Sequence, residues 1–171
     1  MVNELYGVII KSLIFILPSY VANGAPVLSS KLFTHRHPID MGKVLWDSRR
    51  MLGDGKTYEG FFIGLSAGIL TGYVLEMVGY HTVEGAAVLS LGTMIGDIVG
   101  SFIKRRLNIR RGGKAPLLDQ LTFLYFALLL YHVVFDKIEF TEVVFLSIIT
   151  PLLHRFTNYI AYKLGLKDNP W

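Results

Sequence analysis

The chain has 171 residues, 52% of them apolar and 18% charged, with a net charge of +4 and no cysteine. That length allows one domain, and the composition excludes a disordered chain, a collagen-like repeat, a disulfide scaffold and a cysteine-based zinc site. The positive charge does not call for nucleic acid, because the basic residues flank membrane-length apolar runs and topology accounts for them.

Five segments are long enough, or nearly so, to cross ~30 Å of hydrocarbon. They run approximately from Glu4 to Ala22, Gly60 to Gly79, Glu84 to Ile103, Pro116 to Phe135 and Thr141 to Gly165. The expectation is an all-α integral membrane protein of five transmembrane helices, a single domain over residues 1–171, with connecting loops at about 23–59 and 104–115. Ala22-Asn23-Gly24-Ala25 offers the small residues of a signal cleavage site. Glu4 and the lack of a basic residue before Lys11 argue instead for a retained first helix.

Every Lys and Arg except Lys11 and Lys137 falls in the two long loops or near the C-terminal end. The opposite side carries Glu4, Glu84, Asp136, Glu139 and Glu142. By the positive-inside rule the N-terminus is outside and both loops and the C-terminus are cytoplasmic, as in a multi-pass protein of the cell membrane.

Glycine recurs at every fourth position of the second span (Gly60, Gly64, Gly68, Gly72) and the third (Gly92, Gly96, Gly100). Small residues let backbones approach in lipid, where no hydrophobic drive brings helices together. The stripes are read as intramolecular packing, with a homodimer through one stripe as the alternative.

Asp97 is the first residue that packing does not explain. It lies some six residues into the third span, about 9 Å along the axis, where an Asp costs ~3 kcal/mol at mid-membrane and less toward the interface. Ser101 and Lys104 follow at i+4 and i+7 on the same face. The bland alternative is a carboxylate paired with Lys104 or Arg105. Asp119 opens the fourth span, where an acid also complements the helix dipole. The third span descends and the fourth returns, so the two carboxylates can face one another at the cytoplasmic mouth. Two hard oxygen donors there suit Mg²⁺. The loop between them carries six cations and the pair Gly112-Gly113 followed by Lys114. That composition suits a polyphosphate, with backbone N–H groups open to close approach.

Gly53-Asp54-Gly55-Lys56-Thr57 fails the P-loop pattern, yet glycines beside Lys and Thr at a helix entrance can hold an anion. His35 and His37 lack a third ligand and read as loop residues. In the fifth span Pro151 predicts a kink. His154 and Asn158 share a face beyond it, placed either to touch substrate or to bond neighbouring helices. Lys11 either snorkels or pairs with an acid.

Two stretches resemble the CDP-diacylglycerol synthases. Gly55-Lys56-Thr57-Tyr58-Glu59-Gly60-Phe61 is similar to their Lys-Thr-Trp-Glu-Gly segment. Gly96-Asp97, Ser101, Lys104-Arg105 and Asp119 are similar to their long C-terminal signature. Gln120 stands where that signature has Arg, and Gly53-Asp54 where Ser-Pro precedes Lys-Thr. The short chain and the ending Leu164-Gly165-Leu166-Lys167-Asp168-Asn169-Pro170-Trp171 look like the archaeal branch, which acts on di-geranylgeranyl glycerol phosphate.

The resemblance implies a CTP-dependent cytidylyltransferase of phospholipid biosynthesis. CTP would bind at the cytoplasmic mouth with Mg²⁺ between Asp97 and Asp119, and an isoprenoid ether lipid phosphate would arrive from the inner leaflet. Lys56, Lys104, Arg105 and Lys114 would neutralise the leaving pyrophosphate. Thr57 and Ser101 would donate hydrogen bonds, Gly55, Gly112 and Gly113 would cradle phosphate, and Asn23 would read cytosine. Lys104 is expected to matter more than Arg106, which does not share the Asp97 face. The rival expectations are a CTP-dependent polyprenol kinase and a non-catalytic anion or Mg²⁺ transporter.

Overall fold

The computed structural model describes residues 2–170, with side chains from Gly7 onward; Trp171 and the side chain of Glu4 lie outside that description. The helices are α1 (Val2–Gly24), α2 (Ser29–Leu32), α3 (Tyr58–Met77), α4 (Val83–Arg106), α5 (Leu118–Phe135) and α6 (Phe140–Lys163). No named strand occurs among the described residues. Among the described residues, five helical stretches are long and apolar enough to cross a membrane: Gly7–Leu32, Tyr58–Met77, Val83–Arg106, Leu118–Phe135 and Phe140–Lys163.

One boundary differs from the sequence reading. The first loop does not begin at residue 23, because a 3₁₀ turn over Ala25–Leu28 and the short α2 extend the first helical stretch to Leu32. Pro26 sits in the first turn of that 3₁₀ segment, where its missing N–H costs nothing.

Helix ends follow local chemistry. Thr57 and Thr82 are N-caps of α3 and α4, their hydroxyls accepting from the N–H groups of Gly60 and Gly85 at 3.2 and 3.1 Å. Glu59 and Glu84 occupy the first turns of those helices, and Lys104, Arg105 and Arg106 the last turn of α4, each sign matching the helix dipole.

Both glycine stripes are consumed within the chain. A Cβ on Gly64 would lie 2.6 Å from the Ala22 carbonyl of α1 and 2.6 Å from Met94 Sδ of α4. One on Gly68 would strike Ser90, and one on Gly72 would strike Ala86. Gly92 and Gly96 lie against the α5 backbone at Phe126, Ala127, Thr122 and Phe123, and Gly100 against the Thr122 side chain. These faces are buried, so a homodimer through either stripe has no surface left to use.

Packing around the glycines is completed by a core of Ile16, Leu89, Phe123, Leu124, Ala127, Leu128 and Leu146. Hydroxyl pairs tie α1 to its neighbours, Ser19 to Thr93 at 2.6 Å and the Tyr20 hydroxyl to Thr150 at 2.7 Å. Such bonds contribute about 0.6–2 kcal/mol each in a bilayer. The outward faces remain apolar: Leu70, Val133 and Ile148 are each more than 60% exposed, as residues meeting lipid should be.

Candidate active site

The segment between α2 and α3 is organised around a carboxylate the sequence reading passed over. Asp40 is buried and accepts from the backbone N–H groups of Gly42, Leu52 and Gly53 at 3.1, 2.9 and 2.8 Å. Arg50 adds Nε and Nη2 at 3.2 and 2.7 Å. Burial alone would raise the Asp40 pKa, but these donors more than reverse it and hold the carboxyl well below its usual range. Arg50 is held above its ordinary value by the same bond, and also reaches Asp54 at 2.9 Å.

Two further fasteners close this segment onto the helices. Glu59 of α3 accepts from the His37 backbone N–H at 3.0 Å, and its carboxylate lies 2.6 Å from His37 Nδ1. Arg106, at the end of α4, donates to Asp47 at 2.5 Å and to the Arg50 carbonyl at 2.6 Å, with its guanidinium over the rings of Trp46 and Phe102. Arg106 is therefore a structural fastener as well as a topological charge. Short antiparallel bridges at Pro38–Thr57 and Val44–Arg50 complete the fold of the segment. The result is a fixed approach to α3 along Gly53–Thr57.

That approach delivers Lys56 to the membrane acid. The Lys56 ammonium is ion-paired with the Asp97 carboxylate, and Lys104 donates to Asp119 Oδ1 at 2.5 Å. The sequence-level alternative of an Asp97–Lys104 or Asp97–Arg105 pair is thus corrected. Lys104 is drawn across to α5, and the partner of Asp97 comes from a different segment. Both pairs are partly exposed, with side-chain exposures between 18 and 28%. Lys104 lies in the last turn of α4 and Asp119 in the first turn of α5, so the second pair sits at the helix ends rather than in the sealed core.

Asp119 owes its position to an unusual backbone. Leu117 has φ +65°, and Leu118 N–H donates to the Pro116 carbonyl at 2.8 Å, a γ-turn of the strained hand. Gln120 is buried and its side-chain oxygen accepts from Leu117 N–H at 2.6 Å, which pins the turn. The residue that departs from the diacylglycerol-enzyme signature thus has a local task of its own.

The remaining expected residues are distributed as follows. Ser101 is buried one turn below Asp97 on α4. Thr57 is buried, with its oxygen engaged as the α3 cap. The Arg105 Nε is buried without a hydrogen-bond partner among the described residues, next to the charges of Asp119 and Arg111. Gly55 lies beside Arg111, whose Nε is 3.6 Å from where a Cβ would stand, so the two basic loops meet there. Gly112 has φ +74°, a conformation suited to glycine. The expectation of an open backbone donor at Gly113 is corrected: its N–H already closes a turn to the Arg110 carbonyl at 2.9 Å. Lys114 follows in the same loop. Asn23 is half-buried in the last turn of α1. His154 and Asn158 bond each other at 3.1 Å, and the His154 ring lies against Phe123.

Two recesses border the segment between α2 and α3 and the start of α3. A polar groove of about 570 Å³ is lined by His35, Arg36, His37, Asp54 and Arg111 among others. An apolar recess of about 470 Å³ lies at the Lys56 end of α3, between Phe33, Tyr58, Phe62 and Ile63. No group of three or more His, Cys, Asp or Glu side chains converges on a metal-sized site among the described residues. The donor set is therefore two carboxylates, each holding a lysine ammonium where another cation could sit. Mg²⁺ commonly uses one or two carboxylates and completes its shell with substrate phosphates and water, so these residues fit it in that mode.

Known proteins bring the same parts together. A family model described as CarS-like, CDP-archaeol synthase, matches residues 5–171. The CDP-archaeol synthase of Pyrobaculum islandicum is 51% identical over 92% of this chain and 96% of its own length. That of Pyrobaculum calidifontis is 46% identical over 95% and 98%, and that of Sulfolobus acidocaldarius 42% identical over 93% and 96%. A solved structure of an intramembrane enzyme for archaeal membrane lipids biosynthesis superimposes with a TM-score of 0.77 at 40% identity, covering 85% of this chain and 91% of that one.

Proposed function

The chain belongs to the CDP-archaeol synthase family, and on that premise we propose that it transfers CMP from CTP to the phosphate of di-geranylgeranyl glycerol phosphate, giving CDP-archaeol and pyrophosphate. The observation that carries the reading is the double ion pair Lys56–Asp97 and Lys104–Asp119 at one end of a membrane bundle. It offers carboxylates to a cation and ammonium groups to phosphates in the same place.

A lipid phosphate oxygen attacks the α-phosphorus of CTP, and the bond to the β-phosphate oxygen breaks to release pyrophosphate. Both reactants are anions, so alignment and charge cancellation supply the acceleration. Asp97 and Asp119 would hold Mg²⁺, which when bound supplies Lewis-acid charge on the phosphate oxygens. Lys56 and Lys104 pass from carboxylate to phosphate oxygens as substrate enters. Arg105, with its Nε unsatisfied, and Lys114 add charge toward the leaving pyrophosphate. Ser101 and Thr57 would donate hydrogen bonds to the substrate, Gly55 and Gly112 would cradle phosphate, and Asn23, in the last turn of α1, would read the base. The apolar recess beside Phe62 accepts an isoprenoid chain. The distribution of Lys and Arg supports an outside N-terminus, with the site opening to the cytoplasm.

Purified protein with α-³²P-labelled CTP, Mg²⁺ and di-geranylgeranyl glycerol phosphate tests the reading. Label in the lipid with release of pyrophosphate is the expected result. Label retained as CDP would establish a kinase, and no consumption of CTP with a competent lipid would remove enzymatic transfer altogether. Chelation should stop the reaction and added Mg²⁺ restore it.

A further inference from the structure

The segment between α2 and α3 carries an apolar tip that the site leaves without a role. Ser48 N–H donates to the Leu45 carbonyl at 3.0 Å and Leu45 N–H to the Arg49 carbonyl at 2.9 Å, with the Val44–Arg50 bridge beyond them. Residues 44–50 therefore form a minimal hairpin whose turn holds Trp46 and Asp47. Val44 and Trp46 are 54% and 83% exposed, on either side of the half-buried Leu45. One exposed apolar side chain would mean little. Trp46, however, is held in place. Its ring lies 5.9 Å from the Arg106 guanidinium, which is also 5.2 Å from the Phe102 ring, and Asp47 accepts from Arg106 Nη1 at 2.5 Å. The last turn of α4 thus fixes the level of the tip. With 24 residues, α4 is about 36 Å long against ~30 Å of hydrocarbon. A centred span puts Arg106 in the headgroup layer, and Leu107, the next residue, is 62% exposed there. Tryptophan favours that layer, because its ring is apolar and its N–H is not.

From this placement we propose that the Val44–Trp46 tip docks into the lipid headgroup layer at the C-terminal end of α4 and anchors to the bilayer the segment that delivers Lys56. The occupant is lipid because the tip is continuous with the span itself, through Arg106 and Phe102. Its charges suit phosphate headgroups. Lys43 is exposed beside Val44, and the Arg49 side chain is 38% exposed. Asp47, the acid that would oppose anionic lipid, is paired with Arg106 and lies 3.9 Å from Arg49 Nε. The anchoring reaches the site through covalent and polar links. Arg106 also donates to the Arg50 carbonyl at 2.6 Å, and Arg50 holds Asp40, around which the approach to Lys56 is folded. The inference does not depend on the cytidylyl-transfer reading, only on α4 crossing the bilayer.

The chain has two tryptophans, Trp46 and Trp171, so Trp171→Phe leaves Trp46 as the sole indole. The full-length variant is reconstituted in vesicles of phosphatidylcholine and phosphatidylglycerol. Its emission should be blue-shifted relative to free tryptophan and strongly quenched by lipids brominated near the top of the acyl chains. Acrylamide in the water should quench it several-fold less than it quenches free tryptophan. Emission like that of free tryptophan, with full quenching by acrylamide, overturns the proposal. Shielding from acrylamide without quenching by brominated lipid overturns it too, since a second copy of the chain would then cover the tip. A second probe does not rely on fluorescence. The chain has no cysteine, so Val44→Cys carries the sole nitroxide label. Oxygen, which partitions into lipid, should relax that label more than a water-soluble nickel chelate does. His35→Cys, in the polar groove, gives the aqueous reference with the opposite order. A preference for nickel at Val44 equal to that at His35 overturns the proposal.

Discussion

Replacing Gly96 by alanine should separate packing from chemistry at the site, because the glycine immediately precedes Asp97. A Cβ there would lie 2.6 Å from the Thr122 carbonyl, 2.7 Å from Phe123 Cα and 2.8 Å from Phe126 Cβ. Two of these are backbone atoms and none is the end of a flexible side chain, so rotamer change gives no relief. Ordinary contact begins near 3.4 Å, so α4 and α5 must part by about 1 Å. Overpacking of this kind costs about 1–3 kcal/mol. The functional cost should be larger. Asp97 rides on α4 and Asp119 on α5, and a misplacement of about 1 Å between reacting groups can lower turnover about a hundredfold. The assay is radiolabel transfer alongside a thermal unfolding curve, with Gly24→Ala as the control because no atom lies within 4 Å of its Cβ position. Gly96→Ala with parental kcat and an unshifted midpoint would refute the argument that the glycine stripe sets the distance between the two acids.

Other perturbations act through single groups. Asp97→Asn should lower transfer about 10²–10³-fold while the protein still inserts, as removal of one preorganised electrostatic group does; turnover at the parental rate would remove Asp97 from the chemistry. Lys104→Ala should depress activity with the segment between α2 and α3 intact. Arg106→Ala should instead expose that segment to limited proteolysis, because it loses Asp47, the Arg50 carbonyl and two rings at once; matching effects of the two variants on activity and cleavage would show that the roles are not separate. The Asp40 carboxyl is depressed on folding, so its contribution to stability is fully present above the unfolded value of 3.8 and is lost as pH falls through the lower folded value. Protection of Leu52 and Gly53 amides should therefore persist at pH 5 and weaken in stronger acid, and an equal acid response in Asp40→Asn would exclude Asp40 as its cause.

The spans, the intramembrane acid and the glycine stripes are legible in the amino-acid sequence because each depends on local rules. A helix crossing hydrocarbon must satisfy its own backbone over about twenty residues, so length and apolarity betray it. Asp97 stands out for the same reason, as a charge in a stretch that penalises charge. Helical spacing correctly put Asp97, Ser101 and Lys104 along one helix, but it reaches no further than a single element. The partner of Asp97 is 41 residues away and arrives through the Asp40-centred segment, while Lys104 is claimed by Asp119 across a helix pair. Asp40 and Asp47 drew no signal, and Arg106 was read only as a topological charge, because charged residues in a basic loop look solvent-exposed until the fold pairs them. The end of the chain was legible only as a place where positive charge gathers. The packing of Asn169 against the loop at Gly112 is a long-range contact of the same kind, decided by the packed bundle rather than by any local pattern.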